Sequence, residues 1–191
     1  MLGSLKQRGY TLLELMVTVA LVSILAGIAV PSFKSVIKER QLYQAAEAIR
    51  TQVLLGQSES VRLNQNIRFF LSSTNGWCAG VTSRTITSGN DCDCAALDSG
   101  ASSGQCTFSA SNLTRAVKDD DFDLVNVTST FDDNILVLQA RNRGVVNLSG
   151  GSNNGHFSIT PKGESTGYCV IVSRLGRVRT CPQTNGVCSS C

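Results

Sequence analysis

The chain has 191 residues, 42 % of them hydrophobic, and a formal net charge of +3. That size allows one membrane-length helix and one domain of roughly 130 residues, large enough to bury a core of its own. Bulk charge selects no partner, since the two basic residues near the start, Lys6 and Arg8, carry most of the excess. The single histidine and the absence of a phosphate-cradling Gly-Lys-Ser/Thr loop argue against an acid–base enzyme or a nucleotide-driven motor.

The first element is a short basic leader that ends at Gly9. An almost unbroken apolar run follows from Tyr10 to Val30, with one carboxylate, Glu14, near its start. The run is long enough to span about 30 Å as a helix. A charge inside such a run is costly in a bilayer and needs a reason. A secretory signal cut near Ala26-Gly27-Ile28-Ala29, or an ordinary single-pass anchor, accounts for the apolar run but not for Gly9 followed so closely by Glu14. Lys6 and Arg8 ahead of the run fit a leader held in the cytoplasm.

The cleavage-type glycine, the acid at this offset, the apolar run and Pro31 just beyond it resemble the class III signal of type IV pilins and pseudopilins. The resemblance implies that a prepilin peptidase cuts between Gly9 and Tyr10 and methylates the new N-terminus. It also implies that Glu14 neutralises the amine of a neighbouring subunit as a filament grows. Tyr10 stands where phenylalanine is usual in that family, and it keeps the aromatic ring.

Past Pro31 the pattern remains helical. Leu42, Ala45, Ala46, Ile49 and Val53 recur at three- and four-residue steps and make one apolar stripe. Lys38, Glu39, Arg40, Glu47 and Arg50 occupy other faces. The expectation is one helix from Thr11 to about Leu63, bent near Pro31. The chain then divides into a leader (1–9), a transmembrane or filament-core helix (10–30), an amphipathic helix (31–63) and a β-rich domain (64–191).

From Asn64 on, short runs of β-branched and aromatic residues predict strands over Ile67–Leu71, Val81–Thr87, Phe122–Thr128, Ile135–Ala140, Val145–Leu148, His156–Thr160, Tyr168–Ser173 and Arg177–Cys181. The segment 88–111, rich in Gly, Ser, Asp and Cys, reads as a long surface loop, and so does the tail after Pro182. The fold class expected is α+β, pilin-like: a long N-terminal helix packed on an antiparallel β domain.

Eight cysteines, Cys78, Cys92, Cys94, Cys106, Cys169, Cys181, Cys188 and Cys191, predict disulfides in a chain exported past the inner membrane. The count permits full pairing, and connectivity stays open, with the first four and the last four as the favoured groups. Cys92 and Cys94 are poor partners for each other, being two apart. Zinc at Cys188-Ser189-Ser190-Cys191 suits the spacing but not the compartment, so no metal and no cofactor is expected.

Charge is unevenly spread. Residues 91–133 hold nine Asp against Arg115 and Lys118, whereas 134–191 hold six Arg or Lys against Glu164. Within the basic part lies Gly176-Arg177-Val178-Arg179. On an extended strand Arg177 and Arg179 point the same way, about 6.6 Å apart, with Val178 facing the core. Gly176 permits the tight turn. Two guanidiniums so spaced can each meet a phosphate of one nucleic-acid strand, and Arg174 and Lys162 widen the patch. The length, the many short strands and this motif resemble the FimT/FimU and pseudopilin H branch of the family. In FimT-type pilins the motif is associated with DNA binding.

The resemblance therefore implies a minor type IV pilin that binds the DNA phosphate backbone at or near a pilus tip for natural transformation. Its partners would be major and minor pilins, the prepilin peptidase and the inner membrane before assembly. The alternatives are a structural minor pilin that primes assembly, and a minor pseudopilin of type II secretion. Other motifs carry less. Gly163-Glu164-Ser165-Thr166-Gly167 matches a nucleophile elbow only in letters, since that elbow needs a strand-to-helix turn in a larger α/β fold. Asp119-Asp120-Asp121 with Asp123 lacks the central glycine and terminal glutamate of a calcium loop.

Overall fold

The computed structural model describes residues 10–94, 116–141, 144–147 and 154–188, the side chains of 29–32 excepted. The chain forms two compact units, Met1–Lys38 and Glu39–Cys191. Gly9, Cys106 and Cys191 lie outside the described residues.

Helix α1 is assigned from Leu12 to Leu63. In the first unit the Thr11 hydroxyl caps its start by accepting the Glu14 N–H at 3.3 Å. The hydroxyls of Thr18 and Ser23 donate to the carbonyls of Leu15 and Val19, so these two hydroxyls within the apolar run are satisfied by the helix itself. Leu12, Leu13, Met16, Val19, Leu21 and Ile24 are all exposed. Among the described residues no single helix is long and apolar enough to cross a membrane. The pair Leu12–Ile28 and Phe33–Leu63, taken together across a break, meets that length and composition.

In the second unit the stripe expected from the sequence is buried: Leu42, Ala45, Ala46, Ile49 and Val53 enter one core. Two five-stranded sheets supply the rest of it, in the orders β3-β2-β1-β5-β6 and β10-β9-β8-β7-β4. Their strands are β1 (Ile67–Ser72), β2 (Cys78–Thr82), β3 (Ala116–Lys118), β4 (Val125–Ser129), β5 (Ile135–Leu138), β6 (Val145–Asn147), β7 (Gly155–Pro161), β8 (Gly167–Val172), β9 (Val178–Thr184) and β10 (Val187–Cys188). Every pairing is antiparallel.

Alternation divides β1 between two cores. Ile67, Phe69 and Leu71 face the helix, and Phe70 faces a second cluster with Cys78, Ile86, Cys92, Cys94, Ile135 and Val137. The sheets meet through aromatic rings, with Phe69 and Phe157 at 4.9 Å and Phe131 and Phe157 at 5.0 Å. The Trp77 indole N–H donates to the Val125 carbonyl at 3.0 Å, tying β4 to the turn before β2.

The strand expected over Val81–Thr87 instead occupies Cys78–Thr82. A disulfide from Cys78 to Cys94 and the pairing of β2 with β1 begin the strand earlier than side-chain propensity alone suggests. Ile86 is buried outside any strand, in the second cluster. The short β10 falls in the tail read as loop and β3 in a stretch where no strand was expected, and the strand expected to begin at Phe122 starts at Val125, after a turn of 3-10 helix at Asp119–Asp121. β9 continues through Pro182, past the expected end at Cys181.

Cys78–Cys94 and Cys169–Cys188 each fall inside one of the two cysteine groups, closing separations of 16 and 19 residues. Cys92 and Cys181 are also disulfide-bonded. His156 lies with Cys169 and Cys188 in a possible metal triad. With those two sulfurs joined to each other, only the imidazole remains as a good ligand.

Gly56 decides how closely α1 approaches the first sheet. A Cβ there would run into Leu138 Cδ1 and come to 2.9 Å from Val81 Cγ1. Gly56→Val is therefore expected to destabilise the domain by about 1–3 kcal/mol through overpacking, read as a lower thermal midpoint. An unchanged midpoint would contradict this packing. The Cys169→Ser, Cys188→Ser pair is expected to cost about 3 kcal/mol by freeing a loop of this length, and thiol counting on the oxidised native chain should find no free cysteine.

Candidate nucleic-acid interface

The Gly-Arg-x-Arg segment sits where β8 turns into β9. Ser173 to Gly176 form a β-turn, with the Gly176 N–H donating to the Ser173 carbonyl at 2.8 Å. Gly176 has φ +77°, a conformation that a side chain would strain. The Ser173 N–H donates to the Arg177 carbonyl at 2.9 Å, and the Arg177 N–H donates to the Ser173 hydroxyl at 3.1 Å. Arg177 thus closes the turn, and the strand proper begins at Val178.

Three contacts hold the turn in place. Gln57 of α1 donates through Nε2 to the Gly176 carbonyl at 2.6 Å. The Val145 N–H donates to the Arg174 carbonyl at 3.1 Å, and the Arg174 N–H donates to Asn154 Oδ1 at 2.7 Å. Val178 pairs with the buried Val172 and packs on the core. Alternation therefore turns Arg179 to the other face, where it pairs with Ile171, which in turn pairs with His156. Arg174 and Arg177 are exposed and Arg179 is half-buried. Burial holds the His156 imidazole below its ordinary value, so it adds little positive charge at neutral pH.

The sequence reading missed what stands beside the motif. Tyr43, Glu47 and Arg50 of α1 line an open groove of about 430 Å³ with Arg177, Val178, Arg179 and Thr180. One Glu47 oxygen accepts from the Thr180 hydroxyl at 2.7 Å and the other from Arg50 at 2.9 Å. The carboxylate is already engaged, which leaves the exposed Arg177 guanidinium at the rim of the groove. Only the i,i+3 spacing of Glu47 and Arg50 was visible in the sequence.

Strand register sorts the charges to two ends of the domain. Arg68 pairs with Thr82, Ile67 with Leu138, and Leu138 with Val145, so the starts of β1 and β6 and the ends of β2 and β5 lie together. Val145 binds the Arg174 turn. Arg84, Arg141, Arg174 and Arg177 are exposed at this end, and Glu59, the acid nearest it on α1, is bridged to Arg62. At the other end Ser72 pairs with Cys78 and Cys78 with Lys118. There the Asp119 N–H donates to the Trp77 carbonyl, and Asp93 accepts from Asn75. Asp91 lies there too, its carboxyl held below the usual range by the N–H groups of Ser88 and Thr87.

Lys162 does not join the arginines. It sits in the β7–β8 turn, where its N–H donates to the Leu124 carbonyl at 3.0 Å. That turn is at the opposite end of the six-residue β8 from Arg174, about 20 Å away at about 3.3 Å per residue. The Gly163–Gly167 segment occupies the same antiparallel turn and has no helix after it, so it forms no nucleophile elbow. Tyr10 and Glu14 are exposed on the first unit.

Two family patterns match the chain. A prokaryotic N-terminal methylation motif covers residues 4–30, and type II transport protein GspH covers residues 45–176. No curated protein matches. Two crystal structures of the type IV minor pilin FimU of Pseudomonas aeruginosa (strain PAO1) are similar. The P65 form has 15 % identity and a TM-score of 0.45, over 77 % of this chain and 96 % of that one. The P21 form has 16 % identity and a TM-score of 0.48, over 78 % and 93 %. With residues 45–176 matched, well over half of its length, the chain belongs to the family of type II transport protein GspH and carries a prokaryotic N-terminal methylation motif.

Proposed function

We propose that this protein is a minor type IV pilin that binds duplex DNA through its phosphates, at or near a pilus tip, for uptake in natural transformation. The observation that carries the reading is the sorting of charge. An exposed Arg174–Arg177 turn has its backbone held by Gln57, Val145 and Asn154, at the end of the domain away from Asp91, Asp93 and Asp119. Exposed guanidiniums on a turn whose backbone is held in place suit a phosphate backbone and carry little sequence information. In this reading Gly9 is the cleavage residue, Tyr10 the methylated terminus and Glu14 the partner of a neighbour's amine. The exposed apolar face of the first unit inserts into the inner membrane before assembly and then among other pilins. DNA-binding function belongs to Gly176, Arg177 and Arg179, with Arg174 beside them.

A second reading, a minor pseudopilin of type II secretion, is favoured by the description of the matching family. Glu47 gives it some weight, since a carboxylate inside the groove suits a protein partner as well as a nucleic acid.

Processing is tested by intact mass. The mature chain should start at a methylated Tyr10, and Gly9→Leu should leave precursor in the membrane. Cleavage near Ala29 would overturn the pilin reading. Glu14→Ala should still be cut but enter filaments poorly, because a neighbour's amine loses its counter-charge in a low-dielectric core. DNA binding is tested on the full oxidised chain in neutral detergent. Arg177→Ala with Arg179→Ala should retain the thermal midpoint yet flatten the plot of log affinity against log salt by about 0.9 for each phosphate the protein no longer neutralises. Unaltered binding by that variant would place the site elsewhere, and no binding by the unaltered chain at low salt would favour a structural minor pilin that primes assembly.

A further inference from the structure

A groove of about 520 Å³ lies at the same end of the domain as the Arg174 turn, lined by Asn64, Gln65, Asn66, Gln139, Ala140 and Arg141. Its lining has one cation, four side-chain amides, no carboxylate and no aromatic ring. Guanidinium and amide groups are the side chains that meet phosphate and sugar oxygens, whereas a base-stacking site needs a ring. We propose that this groove is a second phosphate subsite for the duplex that the Arg174–Arg179 hairpin binds, a proposal that rests on the DNA-binding function given above.

The backbone links the two places. β5 ends at Leu138, which pairs with Val145, and Val145 holds the Arg174 carbonyl. The Gln139 N–H donates to the Gly144 carbonyl at 3.0 Å, closing the turn that carries Arg141. The Ala140 N–H donates to Asn66 Oδ1 at 3.4 Å, so the Asn66 amide has its acceptor engaged and its NH₂ group left as the donor. Arg141 is exposed and forms no ion pair among the described residues.

One feature opposes an anion there. α1 ends at Leu63, and the C-terminus of a helix carries partial negative charge. The local chain blunts it. Asn64, with φ +50°, donates its N–H to the Val61 carbonyl, and the Gln65 N–H donates to the Ser60 carbonyl. Two of the end carbonyls are therefore occupied, and Glu59 is neutralised by Arg62. The full charge of Arg141 outweighs the remaining fraction of a charge.

The test measures duplex affinity against salt for the full oxidised chain in neutral detergent. Arg141→Gln should bind about tenfold more weakly at low salt and flatten the salt plot by about 0.9. Arg141→Glu should bind more weakly still, and Lys162→Ala, at the opposite end, should bind like the unaltered chain. The order Arg, Gln, Glu at position 141, with equal thermal midpoints, separates a charge effect from a folding effect. Should Arg141→Gln and Arg141→Glu both match the unaltered chain while the Arg177, Arg179 double variant is weakened, the subsite is wrong and the DNA-binding function stands. Should the unaltered chain not bind at all, both fall.

Discussion

The domain depends on the close approach of α1 to its two sheets. Ala45 and Ala46 are fully buried, and Gly56 leaves no room for a side chain against Leu138 and Val81. Small residues at these points let Ile49 and Val53 reach the core between the sheets, where the larger share of the burial energy is gained. The same approach brings Gln57 within hydrogen-bonding distance of the Gly176 carbonyl and Glu47 within that of Thr180. Packing of one helical face thus also positions the arginine turn, and a shift of the helix would move both together.

Antiparallel register then does the electrostatic sorting. Arg84, Arg141 and Arg174 are far apart in sequence and each lies just past the end of a different strand. Their strands end together because register aligns Ile67 with Leu138 and Leu138 with Val145. Asp91, Asp93 and Asp119 lie at the other end by the same rule, around the turns that follow β1 and precede β2, while Asp132 and Asp133 sit in the turn after β4. A domain of small net charge can therefore present a basic end to a polyanion, since exposed charges at the two ends stand farther apart than the screening length of about 8 Å at physiological salt.

Much of this was legible in the chain. The stripe from Leu42 to Val53 has helical period and is buried as that period requires. The strands from Ile135 on lie within a few residues of their expected bounds, because β-branched runs there are bounded by clear turns. The miss at Val81–Thr87 has a physical cause: pairing with β1 and the Cys78 bond act across the sequence, which local propensity does not register. β3 and β10 are short strands held by neighbours, with little signal of their own. At the candidate site the turn at Gly176 and the inward-facing Val178 could be read from alternation. Glu47 beside the arginines, the separation of Lys162 and the nearness of Arg141 could not, since each depends on which strand ends meet.

The central claim is that one end of the domain, and not the other, meets the phosphate backbone. Amide hydrogen exchange of the full oxidised chain, with and without a short DNA duplex, tests it most directly. The account predicts slowed exchange at 173–179 and 139–141 and no change at 116–123 or 162–166. Protection at the aspartate-rich end, or none at the arginine end while DNA is bound, would contradict it.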